Sequence, residues 1–440
     1  MAGSSTAPNV VIIFTDDQGY GDLGCFGAPS IRTPHVDRLA ADGTRCTNFY
    51  VGGPVCTPSR ASLLTGCYPR RVGLEQGVLF PDDEEGLHPD ERTIADLIGE
   101  VGGASTCIGK WHLGDRAPFL PTTHGFDEYF GIPYSNDMRP DNLHGVDRHP
   151  PLRLLRDETV IEEGVDQRTL TRRYTAEAVS FIEAHQDDDA PFFCYLAHNF
   201  PHVPLYRSEE FAGVSAGGLY GDVIEELDWS TGQIMETLAA CGLEEDTLII
   251  YASDNGPWLD IATRIADVDG LQRGGHPGAL RGGKGQCWEG GPRVPMVARW
   301  PGVIPAGTTC TELVTAMDVL PTVATAVGAS LPDNPIDGID VGGLLAAPER
   351  NQTPREQYVY HDSGGSIGGI RNAAGWKLHV GEADGAADGT LYNLYEDVGE
   401  RRDESGERPD VVEELRAALA TFEEDMEPRP AGHIDRLVGS

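Results

Sequence analysis

The stretch Asn9–Asp17, NVVIIFTDD, joins a run of apolar residues to a pair of aspartates near the start of a chain of 440 residues. A continuous run of Val, Ile and Phe without polar alternation is typical of a strand that is buried on both faces of a parallel sheet. In α/β proteins such strands alternate with helices, and ligands bind beyond the carboxyl ends of the strands. The stretch therefore predicts an α/β fold and directs attention to the residues that follow each strand.

Other segments have the same character. Further strands are predicted from the apolar runs ASTCIG, PFFCYLA and TLIIYAS, over Ala104–Gly109, Pro191–Ala197 and Thr247–Ser253. Helical periodicity or end signals predict helices over Thr93–Val101, Thr169–His185, Tyr220–Cys241 and Asp318–Val327. Together these elements predict a large mixed, mostly parallel sheet flanked by helices, which we assign to a catalytic domain over residues 1–347.

The pattern changes after residue 347. Short strands separated by Gly-rich turns are followed by a helix that begins at Pro409 and places Val411, Leu415 and Leu419 on one face. We therefore predict a small C-terminal α+β domain over residues 348–440, with a four-stranded antiparallel sheet and one helix.

The charge of the chain is strongly one-sided. Lys and Arg number 33 against 70 Asp and Glu, so the formal net charge is -37. An acidic surface of this kind argues against nucleic acid or an anionic membrane as a partner. The lysines are Lys110, Lys284 and Lys377. Acidic, lysine-poor composition is typical of proteins from salt-loving microbes, where salt screens the self-repulsion, and we therefore expect a halophilic protein.

Cysteine usage and the first residues bear on location. The 9 cysteines are odd in number and scattered, which indicates a reducing compartment and not a dense disulfide framework. The opening residues lack a basic segment, and their apolar run is too short for a signal peptide or a membrane span. The sequence therefore predicts a cytoplasmic protein.

Polar side chains follow each of the four predicted strands. In chain order they are Asp16 and Asp17, Lys110 and His112, His198 and His202, and Asp254 and Asn255. Because the carboxyl ends of parallel strands meet at one edge of a sheet, we expect these side chains to form one site. The aspartates and the asparagine offer only oxygen ligands, which suit Ca²⁺ or Mg²⁺. Taken alone, each of these stretches also fits an ordinary turn.

The stretch Val55–Gly66, VCTPSRASLLTG, predicts a short helix directly after Cys56, with Thr57 as its N-cap and Gly66 as its end. A helix N-terminus attracts anions, and Arg60 in the first turn adds a fixed positive charge. The stretch therefore predicts a site for a tetrahedral oxyanion beside Cys56. The alternative is that this cysteine is a small core residue.

The run Cys56–Arg60, CTPSR, with Thr65 and Gly66 behind it, resembles the signature C-x-P-S-R-x-x-x-x-T-G of the type I sulfatases. Further segments resemble that family and follow its order: TDDQGYGDLG, GKWHLG, GFDEYFGIPYSND, PHVP, SDNGP, LRGGKGQCWEGGPRVP, and GWKLHV with LYNLYED. The resemblance covers most of the chain. It implies an alkaline-phosphatase-like α/β fold and an arylsulfatase-like hydrolase that acts on an aryl or carbohydrate sulfate.

The resemblance also implies cofactors and residue roles. In this family the cysteine is oxidised to Cα-formylglycine by a separate enzyme, so a formylglycine-generating enzyme is an implied partner. A Ca²⁺ ion, with Mg²⁺ as the alternative, is implied at Asp16, Asp17, Cys56, Asp254 and Asn255. Catalytic roles are implied for Cys56, Arg60, Lys110, His112, His202 and Lys284, and substrate contacts for Ser135, His198 and His276. For His198 a place in the protein core is an equal alternative.

Other functions remain open at this point. A phosphate or phosphonate ester hydrolase of the same superfamily would use the same metal and anion site, although Lys110, His112, Ser135 and Lys284 together favour sulfate. A non-catalytic binder of sulfated ligands would not need the nucleophile. A cysteine hydrolase would leave the oxygen ligands without a role. The alcohol half of the substrate is not specified, and we expect the loops 137–157 and 260–269 to shape its pocket.

Overall fold

The structure is a computed structural model that describes residues 7–140, 149–259, 274–381, 385 and 387–438. Its strands, in chain order, are β1 Asn9–Thr15, β2 Thr44–Tyr50, β3 Glu85–Gly86, β4 Ala104–Lys110, β5 Glu128–Ile132, β6 Arg153–Arg156, β7 Thr159–Glu163, β8 Phe192–Ala197, β9 Thr247–Ser253, β10 Arg293–Arg299, β11 Thr308–Cys310, β12 Val314–Thr315, β13 Gln357–His361, β14 Ile367–Asn372, β15 Trp376–His379, β16 Leu391–Asn393 and β17 Gly432–His433. Its helices are α1 Pro34–Ala41, α2 Cys56–Thr65, α3 Ile94–Glu100, α4 Leu170–Ala184, α5 Gly218–Ala240, α6 Val319–Val327, α7 Gly342–Ala346, α8 Pro409–Asp425 and α9 Ile434–Val438.

One large mixed sheet organises the chain. Its strand order is β11-β2-β10-β9-β1-β8-β4-β5-β6-β7, with β12 beside β2. The five central strands, from β9 to β5, run parallel, and antiparallel strands flank them on both sides. The four strands predicted from apolar runs, β1, β4, β8 and β9, are neighbours at the centre of this sheet.

Both faces of β1 are covered, as its unbroken apolar sequence predicts. Val10, Ile12 and Phe14 pack in one core with residues of α2, α3 and α6. Val11 and Ile13 point to the opposite face and pack in a second core with residues of α1, α4 and α5. Because successive side chains of a strand alternate between faces, one apolar run supplies both cores.

A separate antiparallel sheet lies towards the C-terminus, in the order β13-β14-β15-β16, and α8 packs against β14 and β15. Its core also contains Tyr50, Tyr68 and Met317, which precede residue 348. The predicted α+β arrangement of this region is therefore present, while the boundary at residue 347 stays a prediction. In the described part of the chain, no helix combines the length and the apolar character needed to cross a bilayer.

Two glycines, in β4 and β5, allow neighbouring central strands to approach closely near their carboxyl ends. Gly109 of β4 has a φ of 107°, and a Cβ there would lie 1.9 Å from the carbonyl oxygen of Ala197 in β8. A Cβ on Gly131 of β5 would lie 1.8 Å from the carbonyl oxygen of Gly109. Neither position has room for a larger residue. The strand backbone directly before Lys110 is therefore tightly constrained.

We expect Gly109→Ala to lower the free energy of unfolding by about 3 kcal/mol, because the backbone is strained for alanine and the strands must move apart. The midpoint of denaturant unfolding measures the change. Gly99→Ala, at an exposed position of α3 with open space around it, is the control and is expected to stabilise the chain by about 0.5–1 kcal/mol. A Gly109→Ala protein as stable as the parent would contradict this account of the strand packing.

Candidate active site

The carboxyl edge of the parallel strands gathers polar and charged side chains from distant parts of the sequence. The predicted site residues that meet there are Asp16, Asp17, Cys56, Arg60, Lys110, His112, Ser135, His202, Asp254, Asn255 and Lys284. All are buried except Lys284, whose side chain is 10% exposed. The structure therefore brings these residues together at one sheet edge, while His198, predicted in the same site, contacts Ser230 of α5 instead.

Cys56 is the first residue of α2, and the extended residue Val55 is the N-cap. The prediction that Thr57 is the N-cap is wrong, because the helix begins at Cys56 and Thr57 is already helical. The Thr57 hydroxyl instead donates to the carbonyl oxygen of His112 at 2.9 Å. Gly66 ends the helix with a φ of 70°, as predicted.

Asp16 lies beside both the thiol and a lysine. Its Oδ2 accepts a hydrogen bond from Lys110 Nζ at 2.7 Å, and its Oδ1 lies 3.4 Å from Cys56 Sγ. Burial raises the pKa of the Asp16 carboxyl, but the charges of Lys110, His202 and Arg60 outweigh burial and hold the pKa below its ordinary value. Asp16 is therefore ionised at neutral pH.

Asp17 is the second carboxylate, and its backbone has an unusual φ of 63°. Its Oδ1 accepts a hydrogen bond from Asn255 Nδ2 at 2.7 Å and forms an ion pair with Lys284 Nζ at 2.6 Å, while its Oδ2 accepts a hydrogen bond from the same Nζ at 2.9 Å. His202 Nε2 lies 3.6 Å from Asp17 Oδ2. Non-glycine residues with positive φ are uncommon and occur at functional sites, where the surrounding structure holds them.

Arg60 is wholly buried, and its guanidinium donates hydrogen bonds to other residues of the protein. Its Nε and Nη2 donate to Asp254 Oδ2 at 3.1 and 2.8 Å, and its Nη1 donates to the carbonyl oxygen of Lys110 at 2.8 Å. Burial, followed by the charge of Asp16, raises the pKa of Asp254. The resemblance implied that Arg60 offsets the charge of a sulfate; in the structure its direct contacts are with Asp254 and the Lys110 backbone.

The Cys56 thiol lies between a carboxylate and an ammonium. Lys284 Nζ is 3.5 Å from its Sγ, opposite the contact with Asp16. Burial, and next the charge of Asp16, raises the pKa of this thiol well above its ordinary value, although Lys110 and Lys284 act in the opposite direction. A thiol held in its protonated form is a poor nucleophile. The site therefore does not favour a cysteine hydrolase.

His112 has one ring nitrogen free for chemistry. Its Nε2 lies 2.9 Å from the carbonyl oxygen of Leu79, which assigns the proton to Nε2, while its buried Nδ1 has no partner among the described residues. Burial, followed by the charges of Lys110 and Arg60, lowers the pKa of His112 well below its ordinary value. The ring is therefore neutral at neutral pH, with a lone pair on Nδ1.

The residues of this site fit a divalent cation. Asp16, Asp17, Cys56 and His202 each place a potential ligand atom within 4.8 Å of the others. The Oδ1 atom of Asn255 is buried and has no hydrogen-bond partner in the part of the chain that the structure describes, although Nδ2 of the same residue donates to Asp17. A buried oxygen acceptor without a hydrogen-bond partner is a suitable ligand for a cation. Together with the neighbouring carboxylates it provides the oxygen ligands that Ca²⁺ or Mg²⁺ binds.

A cavity of about 480 Å³ opens above Cys56. Its floor includes Cys56, His112, Ser135, His202 and Lys284. Its walls include the apolar and aromatic side chains Val78, Phe80, Met138, His149 and Trp258, with Ser363 from the turn between β13 and β14. The rings of Phe80 and His149 stack with centroids 5.8 Å apart. Trp258, which directly follows the predicted motif SDNGP, is the wall residue that the sequence could have indicated.

Two predicted substrate contacts lie away from this cavity. His198 is wholly buried, with its Nε2 3.2 Å from the hydroxyl of Ser230 in α5, and burial lowers its pKa to about 3. Its environment matches the core alternative. His276 is exposed, and its backbone nitrogen donates to Asp22 at 2.9 Å. Of the two loops expected to shape the pocket, 260–269 lies outside the described residues, as do residues 141–148 of the other.

Comparison with known proteins gives a consistent result. Residues 8–329 match the family model described as sulfatase. Human arylsulfatase A is 41% identical over 370 residues, which cover 81% of this chain and 71% of that protein. Human steryl-sulfatase is 34% identical over 440 aligned residues, covering 84% and 74%. The solved PsFucS1 sulfatase from Pseudoalteromonas sp. has a TM-score of 0.83 at 28% identity, over 97% of this chain and 92% of that one. These similarities confirm the predicted fold class.

We expect Ca²⁺ to raise the melting temperature, because an ion that binds only the folded state stabilises it by about 2.7 kcal/mol at a concentration about 100 times its Kd. Thermal melts at constant ionic strength measure the shift, with KCl as the control for general salt effects. Asp17→Asn should remove most of the response, since it takes one charge from the ligand set. Equal melting temperatures in CaCl₂ and in matched KCl would contradict a divalent cation site.

Proposed function

The chain belongs to the sulfatase family and is a sulfuric ester hydrolase, and from this premise we propose that it cleaves an aryl or carbohydrate sulfate with a formylglycine made from Cys56. The observation that carries the proposal is the position of the Cys56 thiol, which is buried between Asp16 and Lys284 on the floor of the cavity. A protonated thiol is poorly suited to attack there, whereas an oxygen nucleophile made from the same residue would have a lysine and a carboxylate beside it.

Two groups would complete the site. Hydrated formylglycine supplies an oxygen nucleophile with a second hydroxyl on the same carbon, and a formylglycine-generating enzyme would be the partner that makes it. A Ca²⁺ ion, or Mg²⁺, supplies a Lewis acid. Asp16, Asp17, Asp254, Asn255 and residue 56 would hold the cation. Three buried carboxylates already face three buried cations here, so a divalent ion would leave a positive surplus for an anionic substrate.

The two lysines of the site are placed to support binding of the sulfate group. Lys284 Nζ lies between Asp17 and Cys56, and Lys110 Nζ lies between Asp16 and the hydroxyl of Ser135, which is 3.3 Å away. We assign Lys284 and Ser135 to direct contact with the sulfate oxygens, and Lys110, which does not line the cavity, to support of that contact through the hydroxyl of Ser135. Since Arg60 donates to Asp254, its part is to hold that carboxylate and so maintain the ligand set.

Proton transfer falls to histidines at the cavity floor. His202 faces Asp17 on one side and Trp258 on the other, with ring centroids 5.6 Å apart in the second contact. It can protonate the departing alcohol, a role for which Lys284 is the alternative. His112 is the base at residue 56, because its Nδ1 is unprotonated and the residue lines the same cavity as Cys56.

The cavity walls support a substrate with an apolar or aromatic face. Among the described residues that line the cavity, Lys284 is the one lysine or arginine. The floor can therefore neutralise a single sulfate, while the walls provide Phe80 and Trp258 for stacking on an arene or on the face of a sugar ring. We accordingly propose a singly sulfated aryl or sugar substrate in preference to a polyanionic glycan.

Turnover of a chromogenic aryl sulfate, compared with the matching aryl phosphate, tests this function. We expect the sulfate to be the better substrate, and Cys56→Ala to lower kcat/KM by about 10³-fold or more because the nucleophile is lost. Cys194→Ala, a truncation of another buried cysteine in β8, is the control and should retain most of the activity. Full activity in the Cys56→Ala protein, or a preference for the phosphate ester, would overturn the proposal.

A further inference from the structure

Lys284 lies on a loop, Arg281–Glu289, whose two ends contact the same distant residue. The carbonyl oxygen of Glu400 accepts a hydrogen bond from Arg281 Nη1 at 2.8 Å. The carboxylate of Glu400 accepts a second one from the backbone nitrogen of Glu289, also at 2.8 Å. One residue outside the active site therefore binds the loop on both sides of Lys284.

Glu400 is itself held firmly. It is wholly buried, and its φ of 51° is unusual for a glutamate. Its Oε1 lies 2.7 Å from Lys377 Nζ and 3.0 Å from His379 Nε2, both on β15. A buried carboxylate with a paired ammonium and several donors is costly to disrupt, because removal of one charge leaves the other without its partner.

Lys377 extends the same network into the loop. Its Nζ donates to the carbonyl oxygen of Cys287 at 2.7 Å and to Glu289 Oε1 at 3.1 Å. Burial raises the pKa of Glu289, but Lys377, Arg293 and Arg371 outweigh burial and hold that pKa near 2. Cys287 and Glu289, near the end of the loop, are thus held by the ammonium group of Lys377 in the C-terminal sheet.

The ends of the loop also close on each other. The guanidinium of Arg281 lies over the ring of Trp288, 3.4 Å from its centroid, and Trp288 contacts the ring of His379 at a centroid distance of 4.4 Å. The middle of the loop faces the active site, where the backbone nitrogens of Lys284 and Gly285 donate to the carbonyl oxygens of Pro257 and Pro54. The loop therefore connects the C-terminal network to the segments that carry Asp254 and Cys56.

We propose that Glu400 is a positioning residue for sulfate ester hydrolysis: it fixes the loop so that Lys284 Nζ reaches Asp17 and residue 56 together. The inference rests on the role proposed above for Lys284. It gives the C-terminal region a part in catalysis, although Ser363, in the turn between β13 and β14, is the one described residue of that region that lines the cavity.

Hydrogen–deuterium exchange in the full-length protein tests the structural half of this proposal without any substrate. Glu400→Gln keeps the shape and an acceptor for the Glu289 nitrogen, but it removes the charge that Lys377 faces. We expect faster exchange in peptides that cover Arg281–Glu289 and unchanged exchange in β1 and α2. Unchanged exchange in the loop would overturn the proposal.

A double-mutant cycle with Lys284→Ala tests the functional half. Glu400→Gln alone should lower kcat/KM for an aryl sulfate by about 10- to 100-fold, because small displacements of a binding group have effects of this size. In the Lys284→Ala background, Glu400→Gln should lower kcat/KM by less than about 3-fold, because the two variants would disrupt the same interaction. A loss equally large in both backgrounds would show a general structural role and would overturn the proposal.

Two further variants keep the test decisive. Asp318→Asn alters another buried carboxylate, which pairs with Arg355, and should reduce stability with little change in kcat/KM or in loop exchange. Arg281→Gln, at an exposed position of the loop, covers the case in which Glu400→Gln does not fold, and should act in the same direction with about 3- to 10-fold loss. A parent protein that carries formylglycine at residue 56 and shows no sulfate ester turnover would refute the proposed function, whereas the exchange result would still decide the loop contact.

Discussion

The balance of buried charge at the carboxyl edge of the sheet is the constraint on which the rest of the structure depends. Asp16, Asp17 and Asp254 are removed from water together with Arg60, Lys110 and Lys284. An isolated charge in such a place would be costly, so each must keep its partner at short range. The tightly packed central strands and α2, which begins at Cys56, hold these groups in place.

This balance also explains why a cysteine is present at the centre of the network. Position 56 lies between a lysine and an aspartate, where a thiol stays protonated. A neutral precursor can be buried there while the protein folds, and the three cations then face the three carboxylates without an uncompensated charge. A divalent ion and an anionic substrate would add charges of opposite sign to a site that is already balanced.

Much of this could be predicted from the sequence, for identifiable reasons. The central strands are buried on both faces, so their apolar runs are unbroken, and the residues that follow them share one sheet edge. β2 and β10 were not predicted, because polar residues interrupt β2 and Pro295 interrupts β10. His198 follows β8 as predicted, but its side chain contacts Ser230 of α5 and not the active site. The motif does not determine the direction in which this side chain points. Glu400 could not be found at all, since its partners on the loop, Arg281 and Glu289, lie more than a hundred residues earlier in the chain. The halophilic and cytoplasmic expectations stay predictions.

The central claim is that residue 56 acts as an aldehyde hydrate and not as a thiol. Mass spectrometry of the tryptic peptide Cys46–Arg60, from protein produced in its native host and shown to release sulfate, tests that claim most directly. The account predicts a formylglycine at residue 56 that reacts with an aldehyde-specific tag, while Cys46 in the same peptide remains a thiol and serves as the internal control. An unmodified thiol at residue 56 in protein that turns over a sulfate ester would contradict it.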